Sequence, residues 1–291
     1  MLLIGQSLEC WRVPLAGAVA RRDSRPLLGR ARRQLKAGVA ALDVNFGAGP
    51  RPGLAEDMRW TAETLREALP AAPLFLDCGD LDVLASVTLA VAPPLVVNAV
   101  PLDSTASASR LRLLEAAAAA GAGVVFSPRV NDDWDDQSAI MAAAKDTLAL
   151  AARADLHGPL YLDCLAYPAV SHATLCRRSL AWLRALRAAG ETRLVPLVAV
   201  GNVGHGAAEI TRAAIHHVYV ALALQSGAQA LIIPAEDSSL MSLVKVMTTG
   251  CQPESAAERW LLQAMRPVGG HPRRLPPPEG SDLRAAWELL A

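Results

Sequence analysis

Apolar residues fall into two kinds of stretch along the chain. Short continuous runs, too brief for helices, recur at LLIG (2–5), ALDVNF (41–46), PLFLDC (73–78), LVVNAV (95–100), GVVFSP (123–128), LYLDCL (160–165), LVPLVAV (194–200) and ALIIP (230–234). Between them apolar residues return every three or four positions over 27–35, 54–69, 111–119, 140–152, 175–186 and 213–224, the period of helices with one buried face. The pattern predicts eight strands, most of them followed by a helix. Strands apolar throughout suit a sheet covered on both faces, and eight such units within about 250 residues match the closed β/α (TIM) barrel in number and size. A doubly wound open sheet is the alternative. Two longer uncharged runs, 83–102 and 213–235, have the length of membrane spans. The first is broken by Pro93-Pro94; the second carries His216-His217 and is broken at Gln225-Ser226-Gly227, so each reads as helix, turn and buried strand. The barrel is expected over residues 1–250. Residues 251–291 read as an extension: a helix over 255–265, the segment VGGHPRRLPPPEGSD and a last short helix.

Composition narrows the class. With 52% hydrophobic and 19% charged residues over 291 positions, a disordered or fibrous chain is excluded. Twenty-eight basic against twenty-eight acidic side chains give no net charge, hence no long-range field to draw nucleic acid or an anionic membrane. The five cysteines include no CxxC pair and no zinc-like spacing, and MLLIGQSLECW has no basic start or cleavage site. Both point to reduced thiols and a cytoplasmic location.

Barrel enzymes carry their chemistry at the carboxyl ends of the strands. Taken strand by strand, the polar residues there are Gln6 and Glu9, Asp43 and Asn45, Asp77 and Asp80, Asn98, Ser127 and Arg129, Asp163, Asn202 and His205, and Glu236 and Asp237. The chain has four asparagines, Asn45, Asn98, Asn131 and Asn202, and all lie at these ends or just beyond. Each could cap the helix that follows. The competing reading is a cavity of neutral amides and carboxylates, suited to a planar heterocycle with both donors and acceptors. A phosphate fits less well. The amides of GNVGHG (201–206) could cradle one, but Glu236 and Asp237 after the eighth strand would repel it.

Other chemistries lack their residues. The three lysines, Lys36, Lys145 and Lys245, fall in predicted helices away from strand ends, which leaves a Schiff-base mechanism without a nucleophile. The six histidines form neither HxH after a strand nor HExxH, so no bound metal is expected, and no GxSxG elbow occurs. His216-His217 reads as surface and packing, and Cys78 and Cys164 as core.

ALDVNFG (41–47), FLDC (75–78), VVNA (96–99), YLDCLAYP (161–168) and GNVGHG followed by Arg212, Ala221-Leu222-Ala223 and SGAQALIIP (226–234) stand in a characteristic order. In that order and spacing the chain resembles the pterin-binding barrel methyltransferases over residues 1 to about 250. These enzymes move a methyl group from methyltetrahydrofolate, or a related pterin such as tetrahydromethanopterin, to the Co(I) of a corrinoid protein. The resemblance implies that Asp77, Asn98 and Asp163 hydrogen-bond the pterin ring and that Asp43 and Asn45 stand at the same rim. It implies further that Asn202 contacts the methyl-bearing nitrogen as the catalytic residue, that Gly201 and Arg212 complete the pterin site, and that the protein is a homodimer meeting a corrinoid partner. The family's strand-1 Gly-Glu-Arg-x-Asn is here Gly5-Gln6-Ser7-Leu8-Glu9. Asp-Ser is Asp77-Cys78, Asn-Ser is Asn98-Ala99, and Ser-Asn-x-Ser is Gly201-Asn202-Val203-Gly204. Two alternatives stand beside this reading. One is a pterin-binding subunit without catalysis; the other is a dihydropteroate synthase, which needs a Ser-x-Lys after the seventh strand that this chain lacks. The segment RVNDDWDDQ (129–137) is a candidate partner-docking or pterin-tail loop.

Overall fold

A computed structural model describes residues 1–103, 107–128, 137–266 and 282–291. In chain order the first half comprises β1 (Leu2–Glu9), α1 (Leu15–Ala20), α2 (Ser24–Lys36), β2 (Ala41–Asn45), α3 (Leu54–Ala68), β3 (Leu74–Asp77), α4 (Leu81–Ala90), β4 (Leu95–Pro101), α5 (Ser107–Ala120) and β5 (Gly123–Ser127). The second half comprises α6 (Gln137–Arg153), β6 (Leu160–Asp163), α7 (Ala169–Ala189), β7 (Leu194–Ala199), α8 (Val200–Val203), α9 (Glu209–Ser226), β8 (Ala230–Ile233), α10 (Ser238–Thr249), α11 (Ala256–Ala264) and α12 (Leu283–Leu290). The eight strands lie parallel in sequence order, and β8 closes on β1 through Leu2 to Gly5 against Ala230 to Ile233. That closure makes the fold a TIM barrel and excludes the open sheet.

Side chains of a strand alternate between the two faces of the sheet, and in a barrel those faces are the lumen and the helix layer. Ile4, Ala41, Phe75, Val96, Val125, Tyr161, Leu197, Ala230 and Ile232 pack together as a small cluster inside the barrel. The intervening strand residues join a larger cluster with the helices, where Leu42, Val44, Leu74, Leu76, Val97 and Val124 meet Leu27, Met58, Leu65, Leu84 and Leu113. The period continues past the inner apolar layer: Ala41 leads to Asp43 and Asn45, Phe75 to Asp77, Val96 to Asn98, Tyr161 to Asp163. Every polar strand end of interest therefore points up the barrel axis by arithmetic alone.

All the expected strands are present, and β1 outruns its apolar segment by four residues. The register of β1 on β2 shifts between Gly5 and Leu8, a bulge that apolar periodicity cannot reveal. Gln34, fully buried on α2, supports it by accepting the Ser7 N–H at 3.0 Å. A Cβ on Gly5 would lie 2.3 Å from the same Gln34 Oε1, so the close approach requires glycine there. The short α1 and the single turn of α8 hold too few residues to show a helical period.

The helix anticipated over 255–265 is α11, with Ser255 and Glu258 forming a reciprocal capping box. Beyond it, α12 packs on α7 and α9, and Trp287 meets Trp260 edge to face at 5.3 Å. Pro276-Pro277-Pro278 lie outside the described residues. Among those described, no helix is long and apolar enough to cross a membrane.

Replacing Gln34 by Leu keeps the bulk but removes the acceptor for Ser7. The loss should destabilise the fold by about 1–3 kcal/mol, read as a lower midpoint of thermal unfolding; an unchanged midpoint would contradict the role given to Gln34.

Candidate active site

The strand register builds the site. Glu9 pairs with Asn45 across β1 and β2, Asn45 with Asp77 across β2 and β3, and Asp77 with Asn98 across β3 and β4, one continuous row along the barrel mouth. Within it Asn45 Nδ2 donates to Asp77 Oδ2, and Asn45 Oδ1 accepts the Gly47 N–H at 2.8 Å. One step lower, Asn98 Nδ2 donates to Asp43 Oδ1 at 3.1 Å; Asp43 is 4% exposed and Asn98 7%. On the opposite wall Asp163 Oδ1 accepts the Leu165 N–H at 2.9 Å, and Leu165 takes a left-handed φ of 50° to present it. The strand-end amides of Asn45 and Asn98 thus bond carboxylates across the mouth, against the reading that they merely cap helices.

Three carboxyl groups in so dry a place resist ionisation. Burial pushes Asp43 well above its ordinary value; the charge on Asp77 adds to this, and the Asn98 hydrogen bond opposes it. Asp77 is pushed up to about 7 by burial and by Asp163, against the pull of Asn45. Asp163 is raised to about 6 by burial, offset in part by the Leu165 N–H. The mouth therefore keeps its protons to higher pH than carboxyls in water do.

A cavity of about 520 Å³ opens beside this row, lined by Asn45, Gly47, Ala48, Asp77, Cys78, Gly79, Leu81, Ala99, Pro101, Asp103 and Ser127. No lysine, arginine or histidine lines it among the described residues. Gly79 is required by its floor: its N–H donates to the Gly47 carbonyl at 3.0 Å, and a Cβ would fall 2.5 Å from the Ala48 carbonyl oxygen. Trp11, which strand patterning passes over, stands at the edge on Gly47, whose missing Cβ would lie 3.3 Å from the indole. Arg12 covers that indole at 4.3 Å. A tryptophan just after the first apolar run is the signal the sequence offers for it. Arg129 and Asn131, with the rest of 129–136, lie outside the described residues.

The remaining candidates fall elsewhere. Asn202 sits in α8 at the β7 end, exposed, outside the lining of the cavity. Arg212, exposed on α9, turns back to donate to the Ala207 carbonyl at 2.9 Å. Gly201 is pressed by Gln6: a Cβ there would meet Gln6 Oε1 at 2.3 Å. Two strand-end acids do follow the capping alternative, Asp80 on α4 and Asp237 on α10. Glu236 pairs with Arg33 and Glu9 with Arg12. Within GNVGHG the Gly204, His205 and Ala207 N–H groups bond the Gly201, Asn202 and Gly204 carbonyls, so these amides are spent inside the turn. His216 and His217 are buried, contrary to a surface placement, because α9 is packed against α7, α8, α10 and α12. Cys78 and Cys164 are buried as expected, although Cys78 also reaches the cavity wall. No group of three or more metal-binding side chains occurs among the described residues.

A carboxyl that binds its proton more tightly folded than unfolded contributes stability that is complete below the unfolded value and lost as pH rises through the folded one. For Asp77 that window runs from 3.8 to about 7. His216, lowered to about 4 from 6.5, works in the opposite sense between those values, so the informative comparison is of a single substitution with the wild type. Asp77→Asn should match the wild type in thermal midpoint near pH 4 and exceed it by at least about 2 °C at pH 8. A difference independent of pH would contradict the raised Asp77.

No protein-family model and no curated protein matches the chain. Among solved structures it is similar to dihydropteroate synthases. That of Yersinia pestis, with a pterin-sulfa conjugate, is 18% identical, covers 86% of this chain and 94% of its own, and superposes with a TM-score of 0.62. The Xanthomonas albilineans enzyme in complex with 7,8-dihydropteroate is 18% identical over 87% of this chain and 94% of its own, with a TM-score of 0.60. The Vibrio fischeri enzyme is 16% identical over 86% and 92%, with a TM-score of 0.61. At these identities the likeness establishes the barrel fold.

Proposed function

We propose that the protein binds a methylated reduced pterin in its barrel mouth and transfers the methyl group to the Co(I) of a corrinoid protein. The observation that carries this reading is a cavity lined by Asp77 and Asn45, beside the strand-end groups Asp43, Asn98 and Asp163, with no cationic side chain in its lining among the described residues. A pterin ring offers paired N–H donors beside ring acceptors, which Asp77, Asp163 and Asp43 can accept from and Asn45 and Asn98 can both donate to and accept from. A synthase must bind and release pyrophosphate, and an acidic cavity whose lining has no cation among the described residues opposes an anion. This site chemistry supports methyl transfer, a choice on which fold likeness is silent.

In methyl transfer the bond from the methyl carbon to the ring nitrogen breaks, its electron pair returns to the nitrogen, and the nitrogen must hold a proton to leave. Co(I) on the partner protein is the nucleophile and a substrate here. The protein's share is to place the ring, exclude water and favour positive charge as it develops. Carboxyls held near neutrality, Asp77 above all, can retain or yield a proton at a ring that binds there. Asn202 can follow the charge on the nitrogen by exchanging a donated for an accepted hydrogen bond.

The position of Asn202 outside the cavity lining favours a second reading, a pterin-binding subunit without catalysis. The two separate on Asn202→Ala. Transfer from methyltetrahydrofolate to Co(I) cobalamin, followed by the cobalamin spectrum, should slow by at least about tenfold while the pterin dissociation constant stays within about threefold. Unchanged transfer would remove Asn202 from the chemistry. Binding without transfer in the wild type, with candidate corrinoid proteins present, would establish the second reading.

A further inference from the structure

We infer that His216 is a positioning residue: from beneath the barrel rim, its imidazole sets the seat of the α8 turn and so the placement of Asn202. The inference deepens the methyl-transfer reading and in its kinetic part rests on it.

The α8 turn is wedged from two sides. From β1, the Gln6 amide lies where a Cβ on Gly201 would be, 2.3 Å from its Oε1. From α9, a Cβ on Gly204 would stand 2.4 Å from His216 Nε2 and 2.5 Å from Arg212 Cγ. Both glycines are thus explained by close approach. His216 is 6% exposed, and its Nε2 makes no hydrogen bond of ordinary geometry. A buried polar atom left in that condition is costly, so an apolar residue would be the default at such a place.

The surroundings keep the ring neutral. Burial is the main cause, His217 and Arg212 add repulsion, and Asp237 and the Gly201 backbone pull the other way, leaving His216 at about 4. A neutral imidazole can offer a donor on one nitrogen and an acceptor on the other, which suits a contact with the backbone of a turn better than a charged group would. Asn202, by contrast, has no side-chain hydrogen bond among the described residues, so its position is inherited from the turn that carries it. Arg212 steadies the far end of that turn through the Ala207 carbonyl.

The test uses full-length His216→Leu, His216→Asn and His216→Gln. Asn places a polar atom near the former Nδ1 and Gln near the former Nε2. Hydrogen exchange of the peptide spanning 200–207 should quicken by at least about tenfold in the Leu variant, with other segments unchanged, and return to within about threefold of wild type in Asn or Gln. In transfer from methyltetrahydrofolate to Co(I) cobalamin, kcat should fall at least about tenfold in the Leu variant with KM within about threefold, again rescued by Asn or Gln. Exchange in 200–207 that is equal in all variants, or accelerated everywhere in the Leu variant, overturns the inference. Should the Leu variant fail to fold, Gly204→Ala presses on the same Nε2 from above and must show the same local exchange. A wild type that neither binds the pterin nor transfers its methyl group defeats the methyl-transfer reading alone, because the exchange comparison needs no turnover.

Discussion

Three carboxyl groups share one desolvated barrel mouth, and the rest of the site follows from how the fold bears that cost. Isolated charges in such a place are strongly unfavourable, so the carboxyls either keep protons or find donors. The structure does both: Asn45 and Asn98 each give an amide N–H to a carboxylate from another strand, and the Leu165 backbone serves Asp163. What is left over is a raised affinity for protons at Asp43, Asp77 and Asp163. A ligand that arrived with several N–H groups would relieve the same tension, whereas an anion would add to it.

Closure of the barrel is what brings these groups together. Asn45, Asp77 and Asn98 are far apart in sequence and adjacent in register because three parallel strands end at the same height. The strand pattern alone sufficed for this part of the structure: once eight strands alternate with helices, period two puts Asp43, Asn45, Asp77, Asn98 and Asp163 on the lumen face. The same arithmetic fails where the backbone departs from regularity. The β1 bulge, held by a glutamine from α2, carries Gln6 towards Gly201, and no apolar period marks it.

Residues after the strand ends were harder to read for a related reason. Asp77 and Asp80 lie three positions apart, yet the first lines the cavity and the second caps α4, since one ends the strand and the other is the residue immediately before the helix. Asn202 and Arg212 keep the order expected from the resemblance, but Asn202 is exposed on a helical turn and Arg212 holds a backbone carbonyl. His216, buried under that turn, was invisible to spacing because a histidine pair on an amphipathic helix has no unique face until the helix is packed. The likeness to dihydropteroate synthases extends over most of the chain and speaks for the scaffold. The likeness is silent on the side chains, among which Asp77 and Asn45 line the cavity with no cationic side chain in that lining among the described residues.

The central claim is that this acidic, amide-lined mouth binds a reduced pterin through its raised carboxyls. Calorimetric titration with methyltetrahydrofolate near pH 6.5, repeated in two buffers of different ionisation enthalpy, tests it directly. Hydrogen bonds from the ring favour the ionised carboxylates, so binding should be accompanied by proton release, and Asp77→Asn should diminish that release. Absence of binding by methyltetrahydrofolate and methyltetrahydromethanopterin alike, or binding without any exchange of protons, would contradict it.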